Sequence, residues 1–285
     1  MESEKLTVRD IQEMRDKGQI ITMLTAYDYP VAKQINDTGI DMILVGDSAA
    51  MVVHGYPNTL NATMDMMVLH CAAVARACSR TMVIADMPFG SFQYGIEETM
   101  RSAARFVTEA KVDGVKFEAT PNHIEKTKAI VEMGIAVVGH VGLHPQAVGA
   151  LGGLKAQGRT VETARKVVRE ALALQEAGAF AIIFEAVPGK LSEYVTKKLR
   201  VPTISIGGGP GCSGQLLVTY DILGMFEDFT PSFAKKYANF NKLMSETFVK
   251  YREEVLDGTF PGPEHTYKMS DEVLEAIEDE FGKVE

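Results

Sequence analysis

Positive charge is scarce in this chain: 29 lysines and arginines stand against 38 aspartates and glutamates, a formal balance of -9. Nucleic-acid binding needs a basic surface to meet phosphates, so that class of function is set aside. Cysteine is scarcer still. Cys71, Cys78 and Cys212 show no Cys-x-x-Cys spacing, and an odd number builds no disulfide framework. No apolar run is long enough to cross a bilayer, and the Met1-Glu2-Ser3-Glu4-Lys5 start lacks a signal peptide's apolar core. The expectation is a cytoplasmic protein with neither membrane nor nucleic acid as partner. Internal repeats, low-complexity stretches and the G-x-x-x-x-G-K-[ST] phosphate loop are also missing.

What the chain does have is a succession of short apolar runs, each ending on a polar or ionisable residue. Met42 to Val45 leads to Asp47, Met82 to Ala85 to Asp86, and Gly114 to Phe117 carries Lys116 and then Glu118. Ile135 to Val138 leads to His140, Phe180 to Phe184 to Glu185, and Thr203 to Ile206 to Gly207-Gly208-Gly209. Helix-length segments separate the runs, which implies a parallel sheet. A (β/α)8 barrel produces this pattern, because its active site gathers side chains from the C-terminal ends of several strands. The 285 residues suffice for one barrel domain of about 250 residues with extensions.

Ile20 to Leu24 reads as the first strand, preceded by an amphipathic helix over Thr7 to Lys17 with Thr7 and Asp10 as a capping pair. Helices are expected over Pro30 to Asp37, Thr63 to Ala77, Glu97 to Ala110, Asn122 to Met133 and Thr160 to Ala177. Gly39, Gly134 and Gly178 sit where left-handed helix ends are wanted. Ala49 to Asn61 reads as irregular. The eighth strand is ambiguous: too few residues separate Gly209 from Leu216 to Tyr220 for a helical crossover. Either the seventh crossover is degenerate or Leu216 to Tyr220 is helical. A helix from about Phe233 to Leu256 and another near Ser270 to Phe281 complete a single domain, with residues 1–18 as an N-terminal helix and about 225–285 as a helical extension.

Asp47 and Asp86 end adjacent strands, so their carboxylates can approach one Mg2+, a hard ion that keeps several waters. Each would otherwise cap a helix or pair with a lysine. Lys116 and Glu118 lie two apart and face the same way, either as a mutual salt bridge or with Lys116 neutralising a carboxylate or enolate. Glu185 emerges from an apolar strand, which raises a carboxylate's pKa as a general base needs; its structural alternative is to bond amides of the Ala186-Val187-Pro188 turn. His140 either orients a substrate, transfers a proton or is a satisfied hydrogen-bonder. Gly207-Gly208-Gly209-Pro210-Gly211 is most simply a tight turn.

Several segments resemble the ketopantoate hydroxymethyltransferase family. They are Thr25-Ala26-Tyr27-Asp28-Tyr29, Val45-Gly46-Asp47-Ser48, Ala85-Asp86-Met87-Pro88-Phe89, Val115-Lys116-Phe117-Glu118 and Gly139-His140-Val141-Gly142-Leu143. Gly152 to Gly158, Phe184-Glu185-Ala186-Val187-Pro188 and Phe260-Pro261-Gly262-Pro263-Glu264-His265 extend the match, in family order. The resemblance implies a (β/α)8 barrel of the phosphoenolpyruvate/pyruvate superfamily, assembled as a homodecamer. It implies transfer of a hydroxymethyl group from 5,10-methylenetetrahydrofolate to 3-methyl-2-oxobutanoate in pantothenate synthesis. By position, Asp47 and Asp86 would hold Mg2+ with Glu118 near it, Ser48 and Lys116 would bind the 2-oxoacid, His140 would line the pocket and Glu185 would be the base.

The chain departs from the family at Ala49 and Ala50 (usually Leu-Gly), His144 (commonly Thr), Ser205, Gly208, Ser213 (Asp) and Tyr220 (His). Metal and base positions are retained, so the departures bear on which 2-oxoacid fits and on how the folate fits. The competing enzyme readings are another superfamily member acting on a small oxoacid, and an aldolase using Lys116 as a Schiff base. The lyases' Lys-Lys-Cys-Gly-His loop is missing. A non-catalytic assembly protein is the remaining alternative, and it has no need of so many polar strand ends.

Overall fold

The computed structural model describes residues 4–284 except 119, 121–122, 148, 150–152, 154 and 227–230. Residues 1–237 and 238–285 form two compact units. In the first, eight parallel strands close a barrel in chain order. They are β1 (Ile21–Thr25), β2 (Met42–Val45), β3 (Met82–Asp86), β4 (Gly114–Lys116), β5 (Ala136–Gly142), β6 (Ala181–Glu185), β7 (Thr203–Ile206) and β8 (Gly214–Leu217).

Alternation along each strand divides the apolar side chains into two cores. Met23, Met42, Leu44, Met82, Ile84, Val138, Ile183, Ile204 and Leu216 fill the barrel interior. Their neighbours Ile43, Val45, Val83, Ala85, Val115, Val137, Ile182 and Phe184 face the surrounding helices. Two-sided burial explains why these strands read as continuous apolar runs. The same parity decides the site: Asp86, Lys116, His140 and Glu185 all fall on inward positions.

The helices are α1 (Val8–Asp16), α2 (Tyr29–Asp37), α3 (Ala49–Val52), α4 (Met64–Ala77), α5 (Ile96–Thr108), α6 (Ile124–Glu132), α7 (Val161–Glu176), α8 (Gly189–Thr196) and α9 (Thr219–Leu223). Thr7 and Asp10 form the expected capping box of α1. Its Ile11 is fully buried in the interior cluster beside the strand-start residues Ile21 and Ala181, so α1 plugs the N-terminal end. Gly39, Gly134 and Gly178 have φ of 84°, 85° and 95°, the left-handed exits expected of them. Asn122, expected to begin α6, lies outside the described residues.

Within the first unit one expectation changes and one open alternative is resolved. The segment 49–61 contains α3 and a 3-10 turn at Thr59–Asn61. The eighth strand is Gly214–Leu217, paired to β7 and β1, and α9 starts just behind it. The seventh crossover is therefore a turn without a helix, entered through Gly207 at φ 75° and Gly209 at φ 78°.

In the second unit, α10 (Phe240–Asp257) begins later than Phe233, because the Asn239 side chain caps it by accepting from the Lys242 N–H at 3.1 Å. The final helix is α11 (Asp271–Phe281), close to the expected span.

Candidate active site

A cavity of about 500 Å3 opens at the C-terminal ends of the strands, lined among others by Asp47, Ser48, Asp86, Lys116, Glu118 and Glu185. Six of the seven residues singled out from the sequence thus share one chamber. The seventh, His140, is fully buried just behind it, its Nε2 3.4 Å from the Glu185 Oε2 without hydrogen-bond alignment.

Register brings the first charges together. Asp86 and Lys116 are paired residues on β3 and β4, and the Lys116 Nζ donates to the Asp86 Oδ2 at 3.0 Å. The Asp47 N–H reaches the same oxygen at 3.3 Å. Lys116 therefore pairs with Asp86, and the alternative of a Lys116–Glu118 bridge gives way. Glu118 instead accepts from the Gln146 N–H at 3.1 and 3.3 Å. The Gln146 Nε2 donates to the Asp47 Oδ2 at 2.9 Å and to the Met87 carbonyl at 3.0 Å.

Gln146 was invisible to sequence reasoning. It sits in a 3-10 turn, Pro145–Ala147, after β5, and an uncharged amide in a loop carries no periodicity. Its only sequence signal is position, in the segment leaving an active-site strand. Ser48 directs its Oγ to the Tyr27 hydroxyl at 2.9 Å rather than capping α3.

Glu185 is gripped through its backbone. Its carbonyl accepts from Leu143 N at 2.9 Å, and the next residue's N–H bonds Ile206 O at 2.9 Å. Ala186 has φ 49°, a left-handed conformation costing a non-glycine residue about 1–3 kcal/mol. Across β5, Gly142 has φ 102°, and a Cβ there would lie 2.2 Å from the Glu185 carbonyl oxygen. Only glycine lets β5 approach so closely. The carboxylate itself caps nothing in the Ala186-Val187-Pro188 turn among the described residues; 19% of the side chain is exposed.

Electrostatically the chamber is over-supplied with acid: Asp47, Asp86, Glu118 and Glu185 surround one ammonium, Lys116. Burial, opposed by Lys116, pushes Glu185 up to about 8 and Asp86 to about 7; burial likewise lifts Glu118 well above the carboxylate range. Burial works against the charge of Lys116, but Asp86 and the other carboxylates outweigh it and hold it above its ordinary range. Burial and Lys116 keep His140 neutral, and they lower His144 to about 4; the two rings meet edge to face at 5.3 Å.

These directions fix how stability of the metal-free protein depends on pH. Glu185 and Asp86 bind protons more tightly folded than unfolded, so their stabilisation is full below about 4 and lost as pH rises towards 8. The histidines act oppositely, but only below about 6.5. The unfolding midpoint in EDTA is therefore expected to fall between pH 6.5 and 8, and Glu185→Gln to flatten that fall. A midpoint rising over this interval would contradict the assigned burial of these carboxylates.

The chamber suits a divalent cation. Asp86 Oδ1 is buried without a hydrogen-bond partner, and Asp47 stands beside it. Among the described residues no three His, Cys, Asp or Glu side chains form a ready-made metal cluster. A cation would accordingly rest on Asp47 and Asp86, completed by water and substrate oxygens, as Mg2+ tolerates.

Fold and site together define a (β/α)8-barrel enzyme with its working groups at the C-terminal mouth. The family model for ketopantoate hydroxymethyltransferase matches residues 5–263. The chain belongs to that family. It is 47% identical over 276 residues to the 3-methyl-2-oxobutanoate hydroxymethyltransferase of Acetivibrio thermocellus, covering 97% of this chain and 98% of that one. The Enterococcus faecalis enzyme of the same name is 48% identical over 273 residues, covering 96% and 99%.

Among solved structures, phosphonopyruvate hydrolase with oxalate and Mg2+ shares the fold at TM-score 0.58 and 16% identity, covering 98% and 100% of the chains. A 2,3-dimethylmalate lyase of the PEP mutase/isocitrate lyase superfamily does so at 0.59 and 15%, covering 96% and 99%. Gly152 and Leu154, within one of the family segments, lie outside the described residues. No described helix is long and apolar enough to cross a membrane.

Proposed function

We propose that the protein transfers a hydroxymethyl group from 5,10-methylenetetrahydrofolate to 3-methyl-2-oxobutanoate, with Glu185 as general base and Mg2+ as cofactor. The observation that carries the reading is Glu185 itself, a carboxylate poised near neutral pH in the same cavity as the Asp47–Asp86 pair and Lys116. Family membership supports the substrates.

Asp47 and Asp86 would hold Mg2+, with Glu118 near it, and the ion would supply Lewis-acid stabilisation of negative charge on the oxoacid. Lys116 attracts the same anionic substrate, and Ser48 offers its hydroxyl. Glu185 takes the proton from C3 of the oxoacid, general-base chemistry for which a pKa near the working pH is favourable. The C3 carbanion then forms the new carbon–carbon bond to the donor's methylene carbon; both bonds of that carbon to nitrogen break, water supplies the hydroxyl, and the proton taken by Glu185 and one from water end on the two nitrogens of the departing tetrahydrofolate. His140 stays neutral and borders Glu185 from behind the cavity.

A Schiff-base role for Lys116 needs a neutral amine, which the Asp86 pairing opposes. Incubation with both substrates is expected to give 2-dehydropantoate in Mg2+ and none in excess EDTA. Borohydride trapping of substrate on Lys116, with full activity in EDTA, would replace this reading by the aldolase one.

The chain is further proposed to act in the cytoplasm as a homo-oligomer, a decamer on family resemblance. The three cysteines are unpaired and buried, as a reducing compartment allows. Leu243, Phe248, Val249, Leu256 and Phe281 of the second unit are each more than half exposed, an apolar load that monomers seldom carry. Sedimentation at micromolar concentration is expected to show an assembly, and a monomer would refute it.

A further inference from the structure

The cavity has a second polar pole that the chemistry above leaves unused. Asp221 lies in the first turn of α9, on the wall that β8 and the following segment contribute. It is 4% exposed and lines the same chamber as Glu185. Its position would suit a helix cap, yet no side-chain capping bond is made at this helix. Among the described residues its carboxylate accepts no hydrogen bond, and the opposing charge is that of exposed Lys236, acting at a distance.

A largely buried carboxylate without a protein donor is costly unless water or a ligand meets it, and Asp221 lines the cavity where either can do so. Leu216, Val218, Phe226 and Phe233 line the same cavity, and the buried Tyr27 hydroxyl is near enough to feel the charge of Asp221. The Phe233 ring lies against Gly207, so close that a Cβ there would fall 2.6 Å from it. The wall thus combines flat hydrophobic surface with one unpaired acceptor pair. The cavity is of a size that takes drug-sized ligands, far larger than a small branched oxoacid fills.

We propose that Asp221 binds the one-carbon donor, its two carboxylate oxygens receiving the adjacent N–H groups of the 2-amino-4-oxopyrimidine edge of the pterin. A carboxylate accepts two parallel N–H donors in bidentate fashion, the strong and geometrically selective form of this bond. The aromatic wall would cover the ring faces, where stacking geometry favours a planar heterocycle. This inference rests on the folate reading above. It adds the residue that recognises the donor and explains why the acid-binding and donor-binding ends of one cavity are chemically distinct.

The test compares wild type, Asp221→Asn and Asp221→Ala in tetrahydrofolate binding by calorimetry, donor KM, and C3 proton exchange of the oxoacid, which needs no donor. Both variants are expected to weaken tetrahydrofolate binding roughly ten- to a hundred-fold, the usual worth of a charge-assisted hydrogen bond, while C3 exchange persists. Wild type should reject a 2-desamino donor by a similar factor, and Asp221→Asn should lose that discrimination. The analogue comparison in wild type stands even if a variant folds poorly. Unaltered tetrahydrofolate affinity in both variants, or wild-type indifference to the 2-amino group, would overturn the proposal alone. Wild type that exchanges the C3 proton but binds no tetrahydrofolate would overturn the folate reading and this inference with it.

Discussion

Glu185→Gln is expected to slow C3 proton exchange of 3-methyl-2-oxobutanoate by roughly 10²–10⁴-fold, the usual cost of losing a positioned base. The amide is nearly isosteric. The backbone bonds to Leu143 and Ile206 that aim the side chain are untouched by the change. Mg2+ and the oxoacid should therefore still bind, because Asp47, Asp86, Lys116 and Ser48 all remain. Exchange that survives per bound complex, with weakened oxoacid affinity, would make Glu185 a binding group instead. The substitution also removes a buried carboxylate raised to about 8, so thermal stability above pH 7 should not suffer. A collapse of the folded state would show that the side chain is structural.

The second large effect concerns the two aspartates, and the structure separates them. Asp47→Ala is expected to abolish Mg2+-dependent exchange while the fold survives, since its side chain bonds only the amide of Gln146 among the described residues. Asp86→Ala should abolish exchange as well, but at a further cost. It strands the buried Lys116 ammonium, and breaking a buried ion pair costs about 3–5 kcal/mol. Asp86→Asn keeps the volume and isolates the charge effect. Full exchange activity in both Asp47→Ala and Asp86→Asn would remove the metal assignment. Equal thermal stability of Asp47→Ala and Asp86→Ala would contradict the importance of the Asp86–Lys116 pair.

Much of the fold was legible because a doubly buried parallel strand leaves a distinct trace. Met42-Ile43-Leu44-Val45 and Ala181-Ile182-Ile183-Phe184 are apolar at every position, and each ends where the chain meets the cavity. Gly214-Gln215-Leu216-Leu217 leaves a poorer trace. It begins on glycine and exposes Gln215, and it runs straight into α9, so strand and helix signals overlap. The late start of α10 was hidden for a related reason. Apolar residues continue upstream through Phe233 and Tyr237, and it is the Asn239 cap that sets the boundary.

At the site, sequence parity placed Lys116 and Glu118 on one face but left their partners open. Pairing depends on register between strands distant in the chain, and it is the Asp86–Lys116 register that selects that ion pair. Gln146 links Asp47 with Glu118 from a loop, and Asp221 adds a carboxylate from a short helix. Gln146 follows no apolar run that would mark it as a strand end, and Asp221 follows Leu216 to Tyr220, the run whose strand and helix signals overlap.

This barrel mouth is expected to remove the C3 proton of a 2-oxoacid with help from a divalent cation, before any one-carbon donor is engaged. That step is tested most directly by NMR of 3-methyl-2-oxobutanoate in D2O with the wild-type protein. Mg2+ and EDTA would be compared, and tetrahydrofolate omitted. Enzyme-dependent loss of the C3 proton signal is expected in Mg2+ and its retention in EDTA, with Glu185→Gln close to the uncatalysed rate. Exchange undiminished in EDTA, or equal in Glu185→Gln and wild type, would contradict it.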